Sequence, residues 1–150
     1  MCDLHETQDV TAELLNGEGI VTEKIRFANI VSFTCLKAFA MKERVERKDP
    51  HDLVYCLQHF EGGPDAIHAE FRTALETKHA DTIKEAIRMV AERFLDDEKA
   101  EGYLKAGPVQ CAKFEDEFQD DPDRVILRQR EISTIVANSI GPLAEYQEQD

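Results

Sequence analysis

Over residues 29–95, and again over 123–140, apolar side chains recur at three- and four-residue spacing. That period is the signature of amphipathic helices, and it limits most of the chain to a helical bundle. Asn29 is placed as an N-cap for a helix over 29–46, with Ile30, Phe33, Ala40 and Met41 at helical spacing. Leu36 and Phe39 widen its apolar surface, which makes this helix central. Asp49-Pro50-His51-Asp52 opens the next helix, with Asp49 as N-cap, Pro50 first and Asp52 third. It continues through Leu53, Leu57 and Phe60 to a stop at Gly62-Gly63-Pro64. Further helices are read over 64–77 and 80–95. A polar, partly irregular stretch spans 96–120, and a last helix runs from about 123 to 140, ended by Gly141-Pro142.

The segment before residue 29 has a different pattern. Asn16-Gly17-Glu18-Gly19 is a turn signal. The run Ile20 to Phe27 alternates and is rich in β-branched residues, as a strand requires, whereas Val10 to Leu15 suits a strand or a short helix. A lone hairpin is marginal, so its edges call for a partner sheet or a second copy of the chain. The expected fold is therefore mainly α with a short N-terminal β-hairpin, an α+β arrangement with about five helices. It forms a single domain over 1–150, divided into a hairpin region at 7–28, a helical region at 29–142 and a frayed acidic tail at 143–150.

With 150 residues and 42% hydrophobic content, the chain can bury a core without metals or disulfides. No apolar run approaches a membrane span, and the start lacks a signal peptide's basic and apolar regions. A cytoplasmic protein is expected. Cys2, Cys35, Cys56 and Cys111 are widely separated and read as reduced thiols.

The net charge of −13 is unevenly spread. Residues 24–48 hold seven cations (Lys24, Arg26, Lys37, Lys42, Arg44, Arg47 and Lys48) in a chain that is otherwise acidic. An acidic globule repels nucleic acid in general, while a basic island suits one local anion. Lys37 shares a helix face with Phe33 and Ala40, and Arg44 follows on the same side. The pair is spaced to clasp phosphates, or else to snorkel over the core edge. Asp52 is placed to turn back and hold them.

Metal chemistry has little support. There is no H-E-x-x-H or paired-cysteine motif, His51 and His59 are too far apart for one ion, and Asp121-x-Asp123 opens a helix as a cap. A P-loop, G-x-S-x-G and G-x-G-x-x-G are also missing from the sequence.

Ile25 through Arg44, followed by Lys48-Asp49-Pro50-His51-Asp52-Leu53-Val54-Tyr55, resembles the second half of the abortive-infection, toxin-type nucleotidyltransferases (the AbiE type). In that family a strand leads into L-x-x-K-x-x-A-x-x-x-R and then K-D-x-x-D-L-x-x-L. Leu36-Lys37 to Arg44 follows the first block with small spacing differences, and Lys48-Asp49-Pro50-His51-Asp52-Leu53 follows the second. The resemblance covers roughly residues 18–65. It implies that Lys37 and Asp52 are catalytic-site residues and that Lys37, Arg44 and Lys48 contact nucleotide phosphates. It also implies magnesium and a nucleoside triphosphate as cofactors, held by a Gly-Ser followed by Asp-x-Asp. These 150 residues contain no Gly-Ser. The chain then corresponds to a truncated or partial nucleotidyltransferase-like protein, inactive alone and with a residual phosphate-binding face, and Met1 need not be the natural start of the functional unit. The alternative is an acidic helical interaction module, antitoxin-like or homodimeric, with no catalytic role. Both readings expect a homo-oligomer or a partner protein, with no membrane and no general nucleic-acid binding.

Overall fold

The computed structural model describes residues 4–17, 19–44, 48–115 and 120–147. Cys2, Glu18, Arg47, the last two residues of the helix expected over 29–46, residues 116–119 and the last three residues of the expected tail lie outside the described residues. Two strands, β1 (His5–Glu13) and β2 (Ile20–Ala28), precede six helices: α1 (Ile30–Glu43), α2 (Lys48–Gln58), α3 (Gly63–Leu75), α4 (Ala80–Phe94), α5 (Ala106–Glu115) and α6 (Pro122–Gln147). The architecture is the expected mainly α arrangement with an N-terminal hairpin, and it holds one helix more than the periodicity indicated.

The turn residues behave as their chemistry demands. Asn16 and Gly17 adopt left-handed φ values of 71° and 73°, and Leu14 N–H donates to the Gly19 carbonyl at 2.8 Å. The run of residues 10–15, left open between strand and helix, supplies the end of β1 and the tip of the turn. β1 and β2 are antiparallel and pair from His5 with Ala28 to Glu13 with Ile20. They form a two-stranded sheet in which no residue is buried. The ribbon is tied to the helices at its base, where Ser32 Oγ donates to the Leu4 carbonyl at 2.7 Å. Asn29 caps α1 by accepting from Ser32 N–H at 2.9 Å, as expected.

The helices enclose one core, with Phe71, Phe94, Leu53, Ile83, Ile132 and Ile140 fully buried. α6 packs against α2, α3, α4 and α5, and α1 packs against α4, α2 and α3. The inner face of α1 is Ile30, Val31, Thr34, Cys35, Ala38 and Met41. Leu36, expected to widen that face, is 59% exposed.

Two breaker signals were misleading. Gly107-Pro108 lies inside α5, within the stretch expected to be irregular. Pro108 falls in the first turn, where a missing N–H costs nothing, and a Cβ on Gly107 would meet the Phe94 ring at 2.6–2.7 Å. The glycine thus marks a close approach between α5 and α4. Gly141-Pro142 does not end the last helix, which runs on to Gln147. Pro142 cannot donate to the carbonyl four residues earlier, that of Asn138. That carbonyl instead accepts from His68 Nε2 of α3 at 3.1 Å. Ile140 and Leu143, both buried, hold the helix to the core on either side of the proline. The region expected to fray from residue 143 is therefore helical as far as 147.

Two glycine substitutions should differ in cost. Gly107→Ala overpacks against Phe94 and is expected to destabilise by about 1–3 kcal/mol. Gly141→Ala meets no atom within 4 Å outside its chain neighbours, and its helix gain of about 0.5–1 kcal/mol is offset by crowding against the Pro142 ring that follows, so its net effect should be smaller than that of Gly107→Ala. Urea denaturation of both variants measures the difference.

Candidate functional site

The two sequence blocks that carry the resemblance meet in space. Lys37 projects from α1, Arg44 is the C-cap of α1, and Asp49 and Asp52 come from the first turns of α2. Lys37 Nζ donates to Asp49 Oδ1 at 2.8 Å and to Asp52 Oδ2 at 2.7 Å. Arg44 reaches Asp49 from the other side, Nε to Oδ2 at 3.0 Å and Nη2 to Oδ1 at 3.2 Å. The Lys37 ammonium also lies 5.5 Å from the centroid of the Phe33 ring. Asp49 is 2% exposed, Lys37 16% and Asp52 25%, whereas Arg44 is 60% exposed.

Asp49 does not cap α2 as expected. The helix begins one residue earlier, at Lys48, and the Asp49 carboxylate is the buried node between Lys37 and Arg44. Asp52 does turn back onto Lys37. Lys48, proposed as a phosphate contact, is exposed and takes no part in these ion pairs. Two cations facing two carboxylates leave the cluster with no formal charge. Lys37 has three ammonium hydrogens and uses two, so one remains unassigned among the described residues.

Charge compensation shifts the titrations outward. Burial pushes the Asp49 carboxyl up, but hydrogen bonds and charge from Arg44 and Lys37 outweigh it and hold the pKa below its ordinary 3.8. Burial pushes Lys37 down, but Asp49 and Asp52 outweigh that and hold it above 10.5. Both carboxylates are already engaged by cations, so they do not fit a magnesium cage. Among the described residues no group of three or more His, Cys, Asp or Glu side chains is placed to hold a metal. The thiols of Cys35 and Cys111 are buried and pushed up to about 12, far from a reactive thiolate.

His51, in the same turn of α2, packs its ring 4.7 Å from that of Phe114 and brings Nδ1 to 3.8 Å from Asp52. No local pattern connects α5 with this corner, because residues 96–120 read as polar and irregular. Arg128 of α6 holds Glu115 of α5 through two bonds of 2.7 Å, another pair formed only by tertiary packing. A separate open groove of about 1050 Å³ runs between α4, α6 and the loop after α4, where the Arg130 guanidinium lies 4.0 Å from the Tyr103 ring centroid. No helix among the described residues is long and apolar enough to cross a membrane. The chain matches no known protein family, no curated protein and no solved structure.

Asp49→Asn leaves two cations short of a counter-charge and is expected to cost about 3 kcal/mol near neutral pH. The Asp49 contribution is full above about pH 4 and is lost as pH falls through its lowered folded pKa. The Lys37 contribution is full below about pH 10.5 and is lost as pH rises through its raised folded pKa. The stability gap between wild type and variant should therefore be flat across neutral pH and shrink at both extremes, as read by thermal denaturation over pH.

Proposed function

We propose that this chain is the helical portion of a nucleotidyltransferase-like assembly, without turnover by itself. A second segment would supply the Gly-Ser and Asp-x-Asp carboxylates with their magnesium. The observation that carries the reading is the union of the two motif blocks at Lys37, which joins Asp49 and Asp52 at 2.7–2.8 Å. The exposed ribbon beside α1 supports it, because an isolated two-stranded sheet with open edges is a place for further strands to add. In this reading Lys37 is oriented by both aspartates and offers its remaining hydrogen to a phosphate oxygen. Arg44, the most exposed member, supplies a second contact, and Lys48 adds longer-range attraction. Toxin–antitoxin or abortive-infection roles follow from the resemblance and belong to the same proposal.

A second reading is favoured by one specific observation. Asp49 and Asp52 already compensate Lys37 and Arg44, so the cluster serves as a brace between α1 and α2. The chain is then an interaction module with no nucleotide site. Calorimetry with ATP, GTP and CTP plus magnesium separates the two. The first reading expects weak binding of at least one nucleotide, reduced several-fold in Arg44→Ala, whose circular dichroism should match wild type. Absence of binding by all three, or binding unaffected by Arg44→Ala, contradicts it and leaves the module. Turnover by the isolated chain contradicts both.

A further inference from the structure

The ribbon has two chemically different faces. Thr11 and Thr22, directly paired, join their Oγ1 atoms at 2.7 Å, which fixes them on one side. Alternation then puts Asp9, Lys24, Thr7 and Arg26 on that side as well, in two cross-strand pairs, Asp9 with Lys24 and Thr7 with Arg26. The opposite side carries Val10, Ala12, Val21, Ile25 and Phe27. Val10, Ile25 and Phe27 are 42–46% exposed although they form a contiguous apolar row. The ionisable side chains of this apolar side are Glu6, opposite Phe27, and Glu23, opposite Val10. Among the described ribbon residues Lys24 and Arg26 therefore both sit on the polar side, and the apolar row is edged by Glu6, Gln8 and Glu23, two carboxylates and an amide with no cation. A half-covered apolar sheet face of this kind is built to be packed against.

We propose that the apolar face of the ribbon docks a segment of another protein that presents an apolar row flanked by Lys or Arg. This deepens the assembly reading above by giving the chemistry of the second segment. Charge decides against a second copy. Face-to-face pairing of two ribbons would take Glu6 and Glu23 of both copies into a newly dry interface that holds no Lys or Arg to pair them, between two chains that each carry −13. A basic, apolar segment satisfies the row and its rim at once and is steered to it by the acidic chain.

The test uses the full chain and two labelled amphipathic helical peptides of equal length, one of Leu and Lys and one of Leu and Glu, read by fluorescence anisotropy. The Leu/Lys peptide is expected to bind and the Leu/Glu peptide not to. Val10→Ser with Phe27→Ser should weaken binding about tenfold. Leu127→Ser, which removes a 59%-exposed leucine elsewhere, should leave it unchanged. Equal binding by the ribbon variant, binding of the Leu/Glu peptide, or failure of both peptides overturns the proposal. So does a dimer in light scattering that the ribbon variant abolishes. Nucleotide binding in the calorimetry above survives any of these results, so the two readings fail separately.

Discussion

A carboxylate buried to 2% exposure needs compensation, and the α1–α2 corner is arranged around that need. Asp49 sits where the second helix begins, and its two oxygens take Lys37 from mid-helix and Arg44 from the end of the first helix. These bonds tie the start of α2 to α1. Asp52 meets the same ammonium, and His51 in the same turn lies against Phe114 of α5. The pair also accounts for a lysine on the flank of an apolar helix, since a side chain that buries its stem there requires an anion at its tip.

Much of the fold was legible because local signals agreed with the tertiary outcome. The Asn29 cap, the left-handed turn at Asn16-Gly17, the Gly62-Gly63 break and the periodicity of α3, α4 and α6 each rest on short-range physics. The errors came where a breaker served packing. Gly107 permits the approach of Phe94, Pro108 falls in a first turn, and the carbonyl that Pro142 leaves free is taken by His68 from seventy residues away. No local pattern contains that partner. The site was legible in part. Spacing picked out Lys37, Arg44 and Asp52, but read Asp49 as a cap, because helix-start statistics do not reveal that a side chain turns inward. The pairing of Glu115 with Arg128 depends on α5, whose Gly107-Pro108 pair has the local pattern of a break.

The helices and the ribbon divide the work. The helical body pairs the charges of its α1–α2 corner internally and closes its own core. The ribbon contributes no buried residue, yet carries a continuous apolar row on one side. Stability resides in the body, and the exposed apolar row lies in the ribbon, which is tied to the N-terminal part of α1. A nucleotidyltransferase-like assembly and a pure interaction module share this division and differ only in whether the Lys37 corner also meets a phosphate.

Both rest on the claim that Lys37 and Asp49 act as one coupled unit. A double-mutant cycle with Lys37→Met and Asp49→Asn, followed by urea denaturation, measures it. The account predicts a coupling energy of about 1–3 kcal/mol. Single-variant costs that add to within about 0.5 kcal/mol would contradict it.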